Sequence, residues 1–126
     1  PFFVVVLRKA YGLGALAMAT GSFDETFFAI SWPTGEFAGM GLEGAIKLGR
    51  RNELAAIEDI PKRKARYEEL VADAYAWSRA LNAGTVFEVD DVIDPADTRK
   101  WVIMGLDSAP PPLARNGKKH GWVDTW

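Results

Sequence analysis

Apolar and polar positions alternate along the chain in a way that sets out strands and helices in turn. Six apolar residues, Phe2 to Leu7, open the sequence and are rich in β-branched and aromatic types, a pattern that predicts a strand buried on both faces. Gly12 and Gly14 bracket a predicted turn, and Ala15 to Ala19 carry the small side chains that favour a helix. Thr26–Ser31 is a second predicted strand, stopped by Trp32-Pro33 because proline cannot donate to a ladder. Glu36–Met40 is a third, and Gly41–Leu48 a short helix that again starts at a glycine. Strand, turn and helix thus occur twice within the first fifty residues, which predicts α/β layering.

A longer helix is predicted from Asp59, with Pro61 at its first position. Its apolar stripe is Tyr67, Leu70, Val71, Ala74, Trp77 and Leu81, while Lys62, Arg63, Lys64, Arg66, Glu68 and Glu69 form a solvated face. Asn82-Ala-Gly84 ends it, and Val86–Val92 reads as a short strand. Asp94-Pro95-Ala96-Asp97 has the cap, proline and second acid of a helix start. Trp101, Val102 and Leu106 are expected to dock this last helix, with Trp77 and Trp101 in the core. From Ser108 onward, prolines and polar residues predict an extended tail over 108–126, leaving 1–107 as the folded part.

Composition narrows the function. At 126 residues, 48% hydrophobic and 25% charged, the chain has the balance of one soluble globular unit. A net charge of −2 supplies no basic field for nucleic acid. No apolar run approaches the roughly 20 residues that span a bilayer. Cysteine is absent, which excludes disulfides, thiolate metal ligands and a thiol nucleophile and fits a cytoplasmic setting. The single histidine, His120, lies in the tail, so a Ser-His-Asp arrangement in the core is excluded. Asp90, Asp91, Asp94 and Asp97 read as a strand end and a helix cap in preference to a metal site. Opening directly on a strand behind Pro1, the sequence reads as the C-terminal piece of something longer.

Gly12-Leu13-Gly14-Ala15-Leu16-Ala17 fits a relaxed dinucleotide fingerprint, yet the acids Asp24 and Glu25 precede the second strand instead of ending it, so that reading is disfavoured. Chemistry that needs no ionisable side chain remains. Backbone N–H groups at Gly14 and Ala15 could hold a developing oxyanion, with small side chains letting substrate approach the backbone.

Three linked motifs carry a resemblance. Arg8–Ala15, Trp32–Ala45 and Val92–Arg99 occur in the order and spacing of the C-terminal half of the carboxyltransferase component of biotin-dependent acyl-CoA carboxylases, which they closely resemble, and Lys119-His120-Gly121 is similar to a tripeptide near the end of those chains. The resemblance implies a crotonase-like fold of stacked ββα units. It further implies carboxyl transfer from carboxybiotin on a carrier domain to the α-carbon of an acyl-CoA. The implied partners are a biotin carboxylase and carrier subunit, and the N-terminal carboxyltransferase domain of a second subunit in a homo-oligomer.

By this resemblance Gly14 and Ala15 are the pair whose N–H groups bind the biotin ureido oxygen. Gly12, Leu13, Leu16, Ala17 and Gly41 belong to the biotin and acyl pocket. Propionyl-type members have Gly-Gly-Ala-Tyr at this place, whereas Gly12-Leu-Gly-Ala-Leu16 has one residue more and lacks the aromatic, as in the methylcrotonyl-type loop. The alternative is a non-catalytic assembly module of the same fold.

Overall fold

The computed structural model describes residues 1–111; the expected tail lies outside the described residues from Pro112 onward. The chain folds as two successive ββα units and a helical C-terminal portion. The first unit is β1 (Phe3–Val6), β2 (Lys9–Tyr11) and α1 (Gly12–Met18). The second is β3 (Phe28–Ser31), β4 (Glu36–Ala38) and α2 (Leu42–Gly49). After them come α3 (Arg51–Ala55), α4 (Ile60–Trp77), α5 (Ala80–Thr85), β5 (Asp91–Val92) and α6 (Thr98–Ser108).

Stacking one unit on the next makes two parallel sheets. In one the order is β1-β3-β5, with Phe3 beside Phe28 and Ile30 beside Asp91. In the other, β2 lies along β4, with Lys9 beside Glu36 and Tyr11 beside Ala38. Equivalent corners join the sheets, and the second corner bonds to the first: Trp32 N–H donates to Val6 O at 2.9 Å and Glu36 N–H to Arg8 O at 2.7 Å. The repeat is therefore locked at its bends as well as along its strands.

Two apolar clusters hold the stack. Val6, Ala10, Ala29, Phe37, Ala80, Ala83 and Val89 pack together between the two sheets and α5. Phe28, Ile30 and Ile93 pack on the other side with Phe3, Val5, Trp101 and Val102, beneath α6. Gly105 of α6 sits where a Cβ would come within 2.7 Å of the Phe28 ring and 2.9 Å of Phe3, so glycine is what lets this helix lie flat on the sheet.

Several expectations need correction. β1 is the edge strand and only Val6 in it is buried; β3, central and buried at all four residues, takes the place expected for Phe2–Leu7. The six-residue apolar run hid a corner, because the chain leaves the first sheet at Leu7 and Arg8 to form β2. The long helix does not carry its stripe to Leu81. It stops at Trp77 because Ser78 and Arg79 pair with the second sheet, Phe37 N–H donating to Ser78 O at 2.7 Å and Ala80 N–H to Gly35 O at 2.8 Å. Trp77 and Leu81 are consequently 73% and 65% exposed, not core. The same helix starts at Ile60, which puts Pro61 at its second position, with Asp59 Oδ1 accepting from Lys62 N–H at 2.8 Å.

Within Val86–Val92 only Asp91 and Val92 form a strand, since Val86–Glu88 are taken by the turn that closes α5. Trp101 docks as expected, edge-on to Phe28 at 5.6 Å, while Leu106 is exposed. Asp94 caps a 3-10 turn, Pro95–Asp97, that leads into α6. Asp90 has a structural role that explains part of the acidic cluster: its Oδ2 accepts from Ala29 N–H at 2.7 Å, extending the β3–β5 ladder with a side chain.

Candidate functional site

α1 starts at Gly12, three residues before the Ala15 start that the sequence pattern predicts. Gly12 alone makes the turn: at φ +60° it reverses the chain straight out of β2, and a Cβ on it would lie 2.8 Å from the Gly39 carbonyl oxygen. Only glycine satisfies both the left-handed conformation and that backbone approach. A helix beginning at Gly12 engages Ala15 N–H with the Tyr11 carbonyl as its first internal bond. The N–H groups of Gly12, Leu13 and Gly14 have no partner within the helix. Gly14 is also the open position, since a Cβ built there meets nothing within 4 Å. Of the two expected donors, Gly14 is the freer, while the Ala15 hydrogen is engaged by the Tyr11 carbonyl.

Beside this turn lies a concavity of about 660 Å³. Gly12, Leu13, Ala15 and Leu16 line it, as do Phe23, Phe37 and Gly39 from the neighbouring strand unit and Trp77, Val86 and Phe87 from the α4–α5 region. Ser22, Asp24, Asn82 and Glu88 give it a polar border. The concavity does not include Gly14, Ala17 or Gly41 among its lining residues. Ala17 is on the exposed face of α1, and Gly41 is the exposed N-cap of α2.

A tyrosine–carboxylate pair that the sequence reading passed over holds the turn in place. Tyr11, the N-cap of α1, donates its phenol to Glu36 Oε2 at 2.7 Å, joining the end of β2 to β4. Burial, reinforced by the bond to Glu36, holds the Tyr11 phenol well above its usual value of 10.0. The ammonium of Lys9 lies 5.7 Å from the Tyr11 ring centre. Next to it, Tyr75 of α4 donates to Glu43 Oε1 at 2.6 Å, lowering the carboxyl and raising the phenol from their ordinary values. Both residues of the first pair were visible in the sequence, Tyr11 in the first motif and Glu36 in the second. Their proximity was not, because it depends on the parallel β2–β4 pairing.

A stack of ββα units with two parallel sheets is the crotonase-like architecture, and solved carboxyltransferase structures similar to this chain share it. Residues 1–120 match the family model described as carboxyl transferase domain, and the chain belongs to that family. The methylmalonyl-CoA carboxyltransferase 12S subunit of Propionibacterium freudenreichii subsp. shermanii is 38% identical over 122 residues, covering 96% of this chain and 23% of that protein. A propionyl-CoA carboxylase beta chain of Roseobacter denitrificans is 38% identical over 108 residues, 86% of this chain and 20% of its own length.

Among solved structures, the transcarboxylase 12S hexamer with methylmalonyl-coenzyme A and methylmalonic acid bound superposes with a TM-score of 0.77 at 38% identity, over 96% of this chain and 23% of the other. A single-chain, multi-domain long-chain acyl-CoA carboxylase superposes with a TM-score of 0.68 at 50% identity, over 82% of this chain and 10% of the other. The chain thus spans about a quarter or less of the proteins it matches.

Proposed function

We propose that this chain is the C-terminal part of a biotin-dependent acyl-CoA carboxyltransferase and supplies the biotin-side wall of its site. Family membership over residues 1–120, together with an open backbone donor at Gly14 beside a ligand-sized concavity, carries the reading. Carboxybiotin, delivered on a carrier domain, would supply the activated carboxyl group. The residues here fit such a group: Gly14 N–H is unengaged by its helix and has no side chain in front of it, so a ureido oxygen can approach.

In this reading Gly14 N–H would donate to the ureido oxygen, where carboxyl loss leaves negative charge, and Ala15 N–H, already bonded to Tyr11 O, would be the second donor. Such fixed donors act with little reorganisation and lower the barrier most where water is excluded. Gly12 holds the turn, and the Tyr11–Glu36 bond fixes the angle at which α1 leaves β2. Leu13 and Leu16 wall the adjacent space, whereas Ala17 and Gly41 are exposed and do not line it. The other wall and the coenzyme A site come from an N-terminal carboxyltransferase domain of a second subunit, in a cytoplasmic homo-oligomer served by biotin carboxylase and carrier subunits. Residues 1–107 belong to the domain portion, and α6 carries it on through Ser108.

Amide hydrogen exchange on the assembled enzyme tests the placement. Saturating biotin should slow exchange in the Gly12–Ala15 turn. Unchanged exchange there in an enzyme that turns over would put the biotin site elsewhere.

A further inference from the structure

Two tyrosine–carboxylate pairs stand at the two ends of one short segment. Glu36, in β4, accepts from Tyr11 at 2.7 Å, and Glu43, in the first turn of α2, accepts from Tyr75 of α4 at 2.6 Å. Between them the chain runs through Gly39, Met40 and Gly41, and a Cβ on either glycine would meet nothing within 4 Å. Gly39 is also the residue whose carbonyl oxygen faces Gly12, and it lines the concavity. Whatever fixes this segment therefore fixes the backing of the Gly12 turn.

A closed ring of bonds does so. Phe37 N–H donates to Ser78 O at 2.7 Å, joining β4 to the end of α4, and Ser78 Oγ donates to Tyr75 O at 3.0 Å. Tyr75 thus belongs to the part of α4 already bonded to β4. From there its phenol reaches Glu43, and α2 leads back through Gly41 to Gly39 and β4. Tyr67, two helical turns earlier, donates to Glu43 O at 3.5 Å, a second tie on the same residue. The two pairs also act on one another. Burial and the bond to Glu36 lead in raising the Tyr11 phenol, and Tyr75 and Glu43 add to the rise; the bond to Glu43 leads for Tyr75, with a smaller push from Glu36.

Resting on the carboxyltransferase reading, we propose that Tyr75 and Glu43 are positioning residues for the Gly12–Ala15 turn: by holding the Gly39–Gly41 segment against Gly12, they set the direction in which the Gly14 N–H points. Neither residue lines the concavity, so their effect reaches the turn through the backbone. Gly12 packs directly on the Gly39 carbonyl, and movement of Gly39 passes to the residue that starts α1. With a hydrogen bond at each end the segment has little room to move. With the α2 end released it can swing about β4, and a donor off its line stabilises an oxyanion poorly.

The test uses the assembled enzyme with Tyr75→Phe, which keeps the ring and loses the donor, and Glu43→Gln, which keeps an acceptor. Carboxyl transfer from carboxybiotin to propionyl-CoA and amide exchange at residues 12–15 are read for each. Tyr75→Phe should lower kcat about tenfold with the KM for propionyl-CoA within about twofold, since the misaligned donor is missed in the transition state and not in acyl-CoA binding. Exchange at the turn should quicken about fivefold, and Glu43→Gln should keep both readings near those of the parent. Quickened exchange confined to α2 and α4, with kcat unchanged, would make the pair merely structural and overturn the inference, as would a rise in KM alone. If the unmodified enzyme transfers no carboxyl, the carboxyltransferase reading itself fails. Exchange alone then decides the positioning, upheld if the turn quickens in Tyr75→Phe and overturned if it does not.

Discussion

Substituting alanine at Gly14 and, separately, at Gly12 distinguishes the demands of folding from those of catalysis. At Gly14 the new methyl enters open space on a helical residue. Alanine exceeds glycine in helix propensity by about 0.8–1.0 kcal/mol, so α1 should become firmer and its amide exchange slow by about fivefold. Yet that open space is where the ureido oxygen must come to reach the N–H. A displacement of about 1 Å in a reacting group costs on the order of 10²-fold, so kcat should fall by about that factor.

Gly12→Ala should do the reverse to stability. Its φ of +60° costs an L side chain about 1–2 kcal/mol, and the 2.8 Å approach to the Gly39 oxygen adds overpacking against backbone, for about 2–4 kcal/mol together. Exchange in α1 should accelerate by about thirtyfold or more. Steady-state carboxyl transfer and exchange mass spectrometry on both variants check this. Gly14→Ala enzyme with firmer α1 and activity within about threefold of the parent would refute the backbone-donor reasoning.

Other parts of the structure yield further predictions. Tyr11→Phe removes the 2.7 Å bond to Glu36 and should destabilise the β2–β4 pairing by about 1 kcal/mol, seen as a lower urea midpoint with unchanged slope. Because the folded Tyr11 phenol is raised above its unfolded value near 10, its contribution is complete below pH 10 and lost as pH rises through the folded value; phenolate absorbance should lag in the native protein, and in Tyr11→Phe the lag should shrink to the part that Tyr75 contributes. Gly105→Ala should cost about 1–3 kcal/mol by driving α6 off Phe3 and Phe28, measured by denaturant unfolding, whereas a neutral result would mean the helix can shift freely. The 126-residue segment alone should self-associate through β1, an apolar edge strand paired on one side only; a monodisperse monomer in light scattering would contradict this.

Local patterns showed much of the fold, and pairings between distant segments showed the rest. β3, α2 and the capped start of α4 were legible because an apolar run stopped by Trp32-Pro33, a glycine start and an Asp cap each act within a few residues. β2 was not, since Lys9-Ala-Tyr11 is three residues long and is a strand only because β4 lies beside it. Trp77 was misjudged for the same reason: its helical spacing was correct, but pairing of Ser78 and Arg79 with β4 broke the helix at that point. Glycine spacing located the candidate turn. It did not reveal that Gly12 makes the turn alone, which depends on Gly39 across the sheet. Phe87 carried no sequence signal, because its left-handed backbone emerges only from the cap that closes α5.

The most direct measurement is transfer of labelled carboxyl from carboxybiotin to an acyl-CoA by the assembled enzyme containing this segment, with the Gly14→Ala variant run beside it. The account predicts label on the acyl α-carbon, with transfer reduced about a hundredfold in the variant while assembly is preserved. An assembled enzyme that moves no label, or a variant that moves it as fast as the parent, would contradict the claim that this glycine turn is the biotin-side wall of a carboxyltransferase.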